Sequence, residues 1–256
     1  MSSVRDYADL EGKVAVVTGG SRGIGAATAR ALAAHGTAVA VVGRDRAAID
    51  ATVGSITDLG GTAIGEVADC TREEELEALR RQVNERLGPV DILMPFAGGN
   101  GMPVATDTET GAHWREVIES DLTSTFLTVS AFLPMMVARR SGVIVTMSSA
   151  AARQAARSSA AYAAAKAGVV AFSRHLAGEF AEHGIRVNCL APSAVENDRM
   201  RAWMSEDERA ALGAAFPLKR LGQPEDVAAA ALFLASSASS WVTGVTVDVA
   251  GGKVML

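Results

Sequence analysis

Two cysteines in 256 residues, Cys70 and Cys189, are too few and too far apart for a disulfide framework, so reduced thiols and a cytoplasmic setting are expected. A basic excess is missing as well. Lys and Arg number 24 against 29 Asp and Glu, a formal charge of −5, and the cations are dispersed, so no nucleic-acid-binding face is expected. No stretch approaches the roughly 20 apolar residues that a membrane-crossing helix needs. The first apolar run, 14–17, follows Arg5, Asp6, Asp9 and Glu11 and is shorter than the core of an export signal. There is no proline-rich or glycine–serine linker, no composition break and no repeat, so 1–256 is read as one domain. The histidines, His35, His113, His175 and His183, form no ligand spacing with Cys or acidic residues, and no metal site is expected.

What the chain has is apolar residues, 49% of the total, enough to offset the ordering entropy of a sizeable core. Short apolar runs alternate with longer segments of helical period. Runs 14–17, 38–42, 62–67, 91–94, 143–147, 185–190 and 245–247 read as strands, with helices over 24–35, 47–59 and 73–87. Several of the runs lack alternating polarity, which marks strands buried on both faces. The expected fold is α/β: a doubly wound parallel sheet of about seven strands, a Rossmann fold, with helices on both faces. The irregular stretch 193–217, where Met200, Trp203 and Met204 stand beside charged residues, is the best candidate for a lid over substrate.

Thr18-Gly19-Gly20-Ser21-Arg22-Gly23-Ile24-Gly25 follows the first strand and opens the first helix. A chain turning there needs glycine where φ is positive, where backbone approaches a pyrophosphate and where helix packs on sheet, and the first-turn amides then face the phosphate. In dinucleotide folds an acid about 20 residues on holds the ribose hydroxyls, whereas an arginine accommodates a 2′-phosphate. Here the second strand runs into Gly43-Arg44-Asp45-Arg46, and Arg22 adds a second cation. NADP(H) is favoured; Asp45 leaves NAD(H) open, as does the alternative that Arg44 and Arg46 only solvate a helix start.

Tyr162 and Lys166 are four apart in an alanine-rich helical segment and project from one face. Ser148-Ser149 ends an apolar strand, near where sheet ligands bind. An ammonium beside a phenol favours the phenolate, and a serine hydroxyl can hydrogen-bond a carbonyl as hydride arrives at carbon. On these residues the chain resembles the classical short-chain dehydrogenases/reductases, in particular the 3-oxoacyl-(acyl carrier protein) reductase-like branch. Ser149 stands 13 residues before Tyr162, and Arg186-Val187-Asn188, Ala191-Pro192 and the 222–252 ending fit the same pattern.

The resemblance implies a homotetramer of a cytoplasmic oxidoreductase. Tyr162 would be the general acid in reduction or the base in oxidation, Lys166 would hold the nicotinamide ribose and Ser149 would orient the carbonyl. Gly19, Ser21, Arg22 and Ile24 would contact phosphates and ribose together with Gly23 and Gly25 of the turn. Asp69 and Cys70 would flank adenine, and Ala97, Gly98, Pro192 and Val195 would line the nicotinamide end. Three departures stand out. Pro95-Phe96 replaces two asparagines, Pro192-Ser193 replaces Pro-Gly and is followed by Asn197, and Asp121 stands where the family's catalytic set has asparagine. The expected activity is reduction of a ketone or 3-oxoacyl carbonyl. The alternatives are oxidation of a secondary alcohol of sugar or steroid type, and a weakly catalytic dinucleotide-binding sensor, which Asp121 motivates. Arg153 and Arg157 are read either as contacts for an anionic substrate or as exposed loop residues.

Overall fold

The computed structural model describes residues 7–99 and 101–255. In chain order the elements are β1 (Val14–Thr18), α1 (Gly23–Ala33), β2 (Ala38–Gly43), α2 (Arg46–Thr57), β3 (Ala63–Val67), α3 (Glu73–Arg86) and β4 (Ile92–Pro95). There follow α4 (Gly111–Ile118), a π-helical turn Glu119–Thr123, α5 (Ser124–Arg139), β5 (Gly142–Met147), α6 (Ala160–Phe180) and β6 (Ile185–Pro192). The chain then runs through α7 (Asp198–Trp203), α8 (Glu206–Ala214), α9 (Pro224–Ala235) and β7 (Thr246–Val249). Every strand expected from the sequence is present, with its ends within two residues of the expected ones.

All seven strands are parallel, in the order β3-β2-β1-β4-β5-β6-β7. The winding reverses between β1 and β4, and in such sheets ligands bind outside the carboxyl ends of the strands at that reversal.

Alternation explains why the strands look uniformly apolar in sequence. Successive side chains point to opposite faces, and here both faces are covered. Ala15, Val17, Val39 and Val41 join a core with Leu32 of α1, Ile49 of α2 and Val227 of α9. Val14, Val16, Ala40 and Val42 join a second core with Leu76 and Leu79 of α3, Phe132 of α5 and Leu176 of α6.

One helix bears on the expectation that no stretch is apolar enough to cross a membrane. The continuous helical run Gly111–Arg139 holds an 18-residue window of mean hydropathy 1.3, long and apolar enough to cross a membrane by length and composition alone. Serine, threonine and Pro134 interrupt its apolar residues, which is why no unbroken run shows in the sequence. In the fold Val117 packs on α6, and Val129, Phe132 and Met136 lie in the second core.

Candidate active site

A cleft of 830 Å³ opens at the carboxyl ends of β1 to β4. It takes in Gly19, Ser21, Arg22, Arg44, Asp69, Cys70, Ala97 and Gly98 of the expected cofactor residues, so positions far apart in sequence converge on one groove. Gly23, Ile24 and Gly25 form the first turn of α1. That turn has no side-chain cap, and its leading amides have no partner within the helix. A Cβ on Gly25 would stand 2.1 Å from the Gly19 carbonyl oxygen, which is why only glycine lets α1 approach the turn so closely. A hollow of 560 Å³ at the opposite, amino-terminal end of the strands, near Lys13, Asp91, Gly142 and Arg186, takes in none of these residues.

Two side chains at the outer end of the cleft differ in how they are engaged. Arg22 is paired with Asp45 at 2.5 Å, and the Asp45 carboxylate also accepts the Ala48 amide as N-cap of α2. The Arg22 hydrogen bond, followed by that amide, holds the Asp45 carboxyl below its usual range. Arg46 turns away, onto the Gly65 carbonyl and Asp50. Arg44 is exposed at the cleft and carries no hydrogen bond or ion pair among the described residues.

Asp69 accepts from the Thr71 amide at 3.0 Å and the Thr71 hydroxyl at 2.8 Å, which keeps its carboxyl ionised to lower pH than usual. Burial pushes the Cys70 thiol up to about 11 and raises that of Cys189 too.

The two serines that follow β5 separate. Ser148 is buried and spends its hydroxyl proton on the Lys166 carbonyl at 2.8 Å. Ser149 accepts from the Ala151 amide at 3.2 Å, which leaves its own proton to donate elsewhere.

Helix α6 begins at Ser159, whose hydroxyl accepts the Tyr162 amide at 3.1 Å. The carboxylate of Glu109, itself bonded to His113 at 2.9 Å, accepts the Ala161 amide beside it. The first turn is thereby held twice, and Tyr162 with it. Gly101 lies against the Tyr162 ring. The Lys166 ammonium sits 5.7 Å from the centre of that ring. It donates to the Met147 carbonyl at 3.2 Å and pairs with Asp121 at 3.1 Å.

Asp121 lies in the π turn, a break in helical register of a kind that often occurs at functional sites. Its Oδ1 also accepts the Gly99 amide at 2.6 Å, and Ser120 donates to its Oδ2 at 2.9 Å. Gly98, at φ +122°, could not carry a Cβ, which would fall 2.7 Å from Asp121 Oδ1. The cleft floor and the Tyr162/Lys166 helix are joined through this one carboxylate.

Several expectations need correcting. The residues lining the cleft include neither Pro192 and Val195 nor Ser149, Tyr162 and Lys166; the Val195 side chain packs in the core with Val227, Val247 and Val249, while its backbone bridges Gly222. Arg153 is neither an exposed loop residue nor free for an anion, because it forms a two-pronged ion pair with Asp248 at 3.0 and 3.1 Å. At the two positions that depart from asparagine, Phe96 fills core space, and the Ala97 amide that follows donates to the Thr18 hydroxyl at 3.1 Å.

Sequence reasoning missed the Glu109–His113 hold on α6. The i, i+4 spacing of the pair, astride the N-cap Thr110, was its one visible trace. It also missed Glu116, Glu119 and Arg199 on the cleft wall, for which no motif exists.

A family model described as enoyl-(acyl carrier protein) reductase matches residues 19–253. The 3-oxoacyl-[acyl-carrier-protein] reductase of Salmonella typhimurium is 39% identical over 251 residues, 96% of this chain and 99% of that one. A solved 7α-hydroxysteroid dehydrogenase complexed with NADH and 7-oxo glycochenodeoxycholic acid superimposes with a TM-score of 0.91 at 36% identity, covering 98% of each chain. Levodione reductase does so with a TM-score of 0.90 at 30% identity, covering 95% of this chain and 98% of that one. A glycine turn at the sheet's reversal, a Tyr-x-x-x-Lys helix beside it and likeness along almost the whole length converge, and the chain belongs to the short-chain dehydrogenase/reductase family of oxidoreductases.

Proposed function

We propose that the protein is an NADP(H)-dependent carbonyl reductase acting on a ketone or 3-oxoacyl compound. The single observation that carries the reading is the Lys166 ammonium, buried and fixed 5.7 Å from the centre of the Tyr162 ring by Asp121, which in turn accepts the amide of Gly99 on the cleft wall. The relatives that reduce 3-oxoacyl thioesters or bind an oxo-steroid support the substrate class.

The residues fit a dinucleotide. Gly25 lets the first turn of α1 pack directly on Gly19, the first-turn amides, which have no partner within the helix, suit a pyrophosphate, and Asp69 and Cys70 on the cleft wall suit an adenine. Arg44, with no hydrogen bond or ion pair among the described residues, suits a 2′-phosphate, and Asp45, the acid that would favour NAD(H), is already spent on Arg22 and on capping α2. When bound, the nicotinamide supplies hydride to the carbonyl carbon. Tyr162 then gives its phenolic proton to the carbonyl oxygen, so that the electron pair of the C=O π bond ends as the new O–H bond and the product is a secondary alcohol. Lys166 favours the phenolate left behind and holds the ribose, and Ser149 steadies the charge growing on oxygen.

The chain is read as one domain whose 193–217 segment covers the substrate. Its Arg199 reaches the cleft wall, and Glu196 ties α7, α8 and the start of α9 together through Arg201, Arg209 and Gln223.

Calorimetric titration of NADPH and NADH into the purified protein tests the reading. The expected result is binding of both with NADPH at least ten-fold tighter, about 1.4 kcal/mol. Absence of binding by either would overturn the assignment.

A further inference from the structure

Asp121 and Lys166 form an ion pair that solvent barely reaches, with side-chain exposures of 0% and 3%. An ammonium has three donors. Here one goes to the Met147 carbonyl and one to Asp121, so a single N–H remains for everything else the lysine does. The carboxylate is fixed in turn by the Gly99 amide and the Ser120 hydroxyl, and the π turn that carries it is packed on α6 through Leu122 and Val117.

Such a pair has two effects on the phenol next to it. It fixes the ammonium in place before any ligand arrives, and it sets a full negative charge against the positive charge that would favour the phenolate. At low effective dielectric neither charge is well screened, so the carboxylate 3.1 Å from the ammonium offsets part of its effect on Tyr162.

We propose that Asp121 is a positioning residue that acts through Lys166, holding the ammonium in register with Tyr162 while offsetting its charge, so that this chain keeps Tyr162 as a phenol to higher pH than an uncharged residue at position 121 would. The inference rests on the reductase reading for its meaning in catalysis, but not for its physical content. A site tuned this way favours the proton-donating state of Tyr162, which is the state carbonyl reduction uses; the alcohol-oxidising direction needs the phenolate. It also turns the feature that motivates the sensor alternative into part of a working reductase.

Among the described residues, the groups facing the trio come from three elements and the segment before α4. From the sheet comes Cys189, whose thiol burial keeps protonated. From the segment before α4 comes the Glu109 carboxylate with His113, at the first turn of α6. Helix α6 itself contributes Tyr162 and Lys166, and β5 contributes the uncharged Met147 carbonyl and Ser148. A neutral substitution at position 121 leaves all of these in place.

The chain has two tyrosines, Tyr7 and Tyr162, so the test needs neither substrate nor cofactor. In a Tyr7→Phe background, the ultraviolet absorbance of tyrosinate followed against pH reports Tyr162 alone, and a Tyr162→Phe control confirms the assignment. The expected result is that Asp121→Asn brings the phenolate on at a pH lower by about one unit, with Asp121→Ser, a second neutral variant, shifting the same way. Superimposed curves, or a shift to higher pH, would overturn the proposal, since a merely structural aspartate would change the melting temperature and not the titration. Dinucleotide binding measured on the same samples keeps the two readings apart: a parent that binds neither cofactor strikes the reductase reading, while the tyrosine titration still decides the role of Asp121.

Discussion

One cation–carboxylate pair lines the cleft and a second is buried behind Gly99 on its wall, and the two pairs are built for opposite purposes. In the outer pair Arg22 and Asp45 have side-chain exposures of 59% and 45%, and water competes with every contact they make. In the inner pair Lys166 and Asp121 have exposures of 3% and 0%. An exposed pair contributes little to stability and is easily parted, so Arg22 can exchange Asp45 for a phosphate at small cost. A buried pair cannot be parted without stranding a charge. The outer pair therefore suits recognition, where partners are exchanged, and the inner pair suits positioning, where nothing is meant to move.

Breaking the inner pair should have the largest effect. Asp121→Ala leaves the Lys166 ammonium buried with the Met147 carbonyl alone and should cost about 3–5 kcal/mol, the usual consequence of removing one partner of a buried pair. For a chain of this size that lowers the melting temperature by roughly 10 °C, measurable by calorimetry. An unchanged melting temperature would mean that the pair is not as buried as described.

Breaking the outer pair should leave stability almost untouched and move affinity. Asp45→Ser retains an N-cap for α2 and removes the negative charge that occupies Arg22. NADPH should then bind several-fold tighter and NADH should be little affected, so titration of both ligands sharpens the contrast between the two ends.

The smallest effect is on acid stability around Asp69. The Asp69 carboxyl is held below its usual range by the amide and hydroxyl of Thr71. A carboxyl lowered by folding contributes stability that is fully present above its unfolded value and is lost as pH falls through its folded value. Asp69→Asn should therefore melt at a lower temperature than the parent at pH 7, and the gap should close as the pH falls through the lowered folded-state value of the carboxyl. A gap that persists undiminished below that value would show that the loss is steric.

The outer end of the cleft was far more legible in the sequence than the inner one. The turn from β1 to α1 is made of backbone and glycine, and what it does follows from local conformation, so 18–25 could be read without knowing what surrounds them. The strands were legible for a related reason. A strand covered on both faces must be apolar at every position, and runs such as 14–17 and 38–42 carry that requirement openly. The inner end depends on contacts between distant segments. That Lys166 meets Asp121, that Glu109 caps the turn bearing Tyr162, and that Arg153 is tied to Asp248 all follow from how α4, α6 and β7 are placed around the sheet. The packing of Val195 was hidden in the same way, because its neighbours in space are core valines from distant segments.

The π turn between α4 and α5 has a consequence best stated as phase. An ordinary α-helix advances by 3.6 residues per turn, and a π turn holds one residue more. Across Glu119–Thr123 that surplus residue rotates everything before it by about 100° relative to everything after it. Helix α5 is locked to the sheet by Phe132 and Met136, and α4 to α6 by Val117, so the two cannot both keep their partners without the surplus. The turn works as a fixed offset between two gears, and the angle it sets is the one that faces Asp121 toward Lys166.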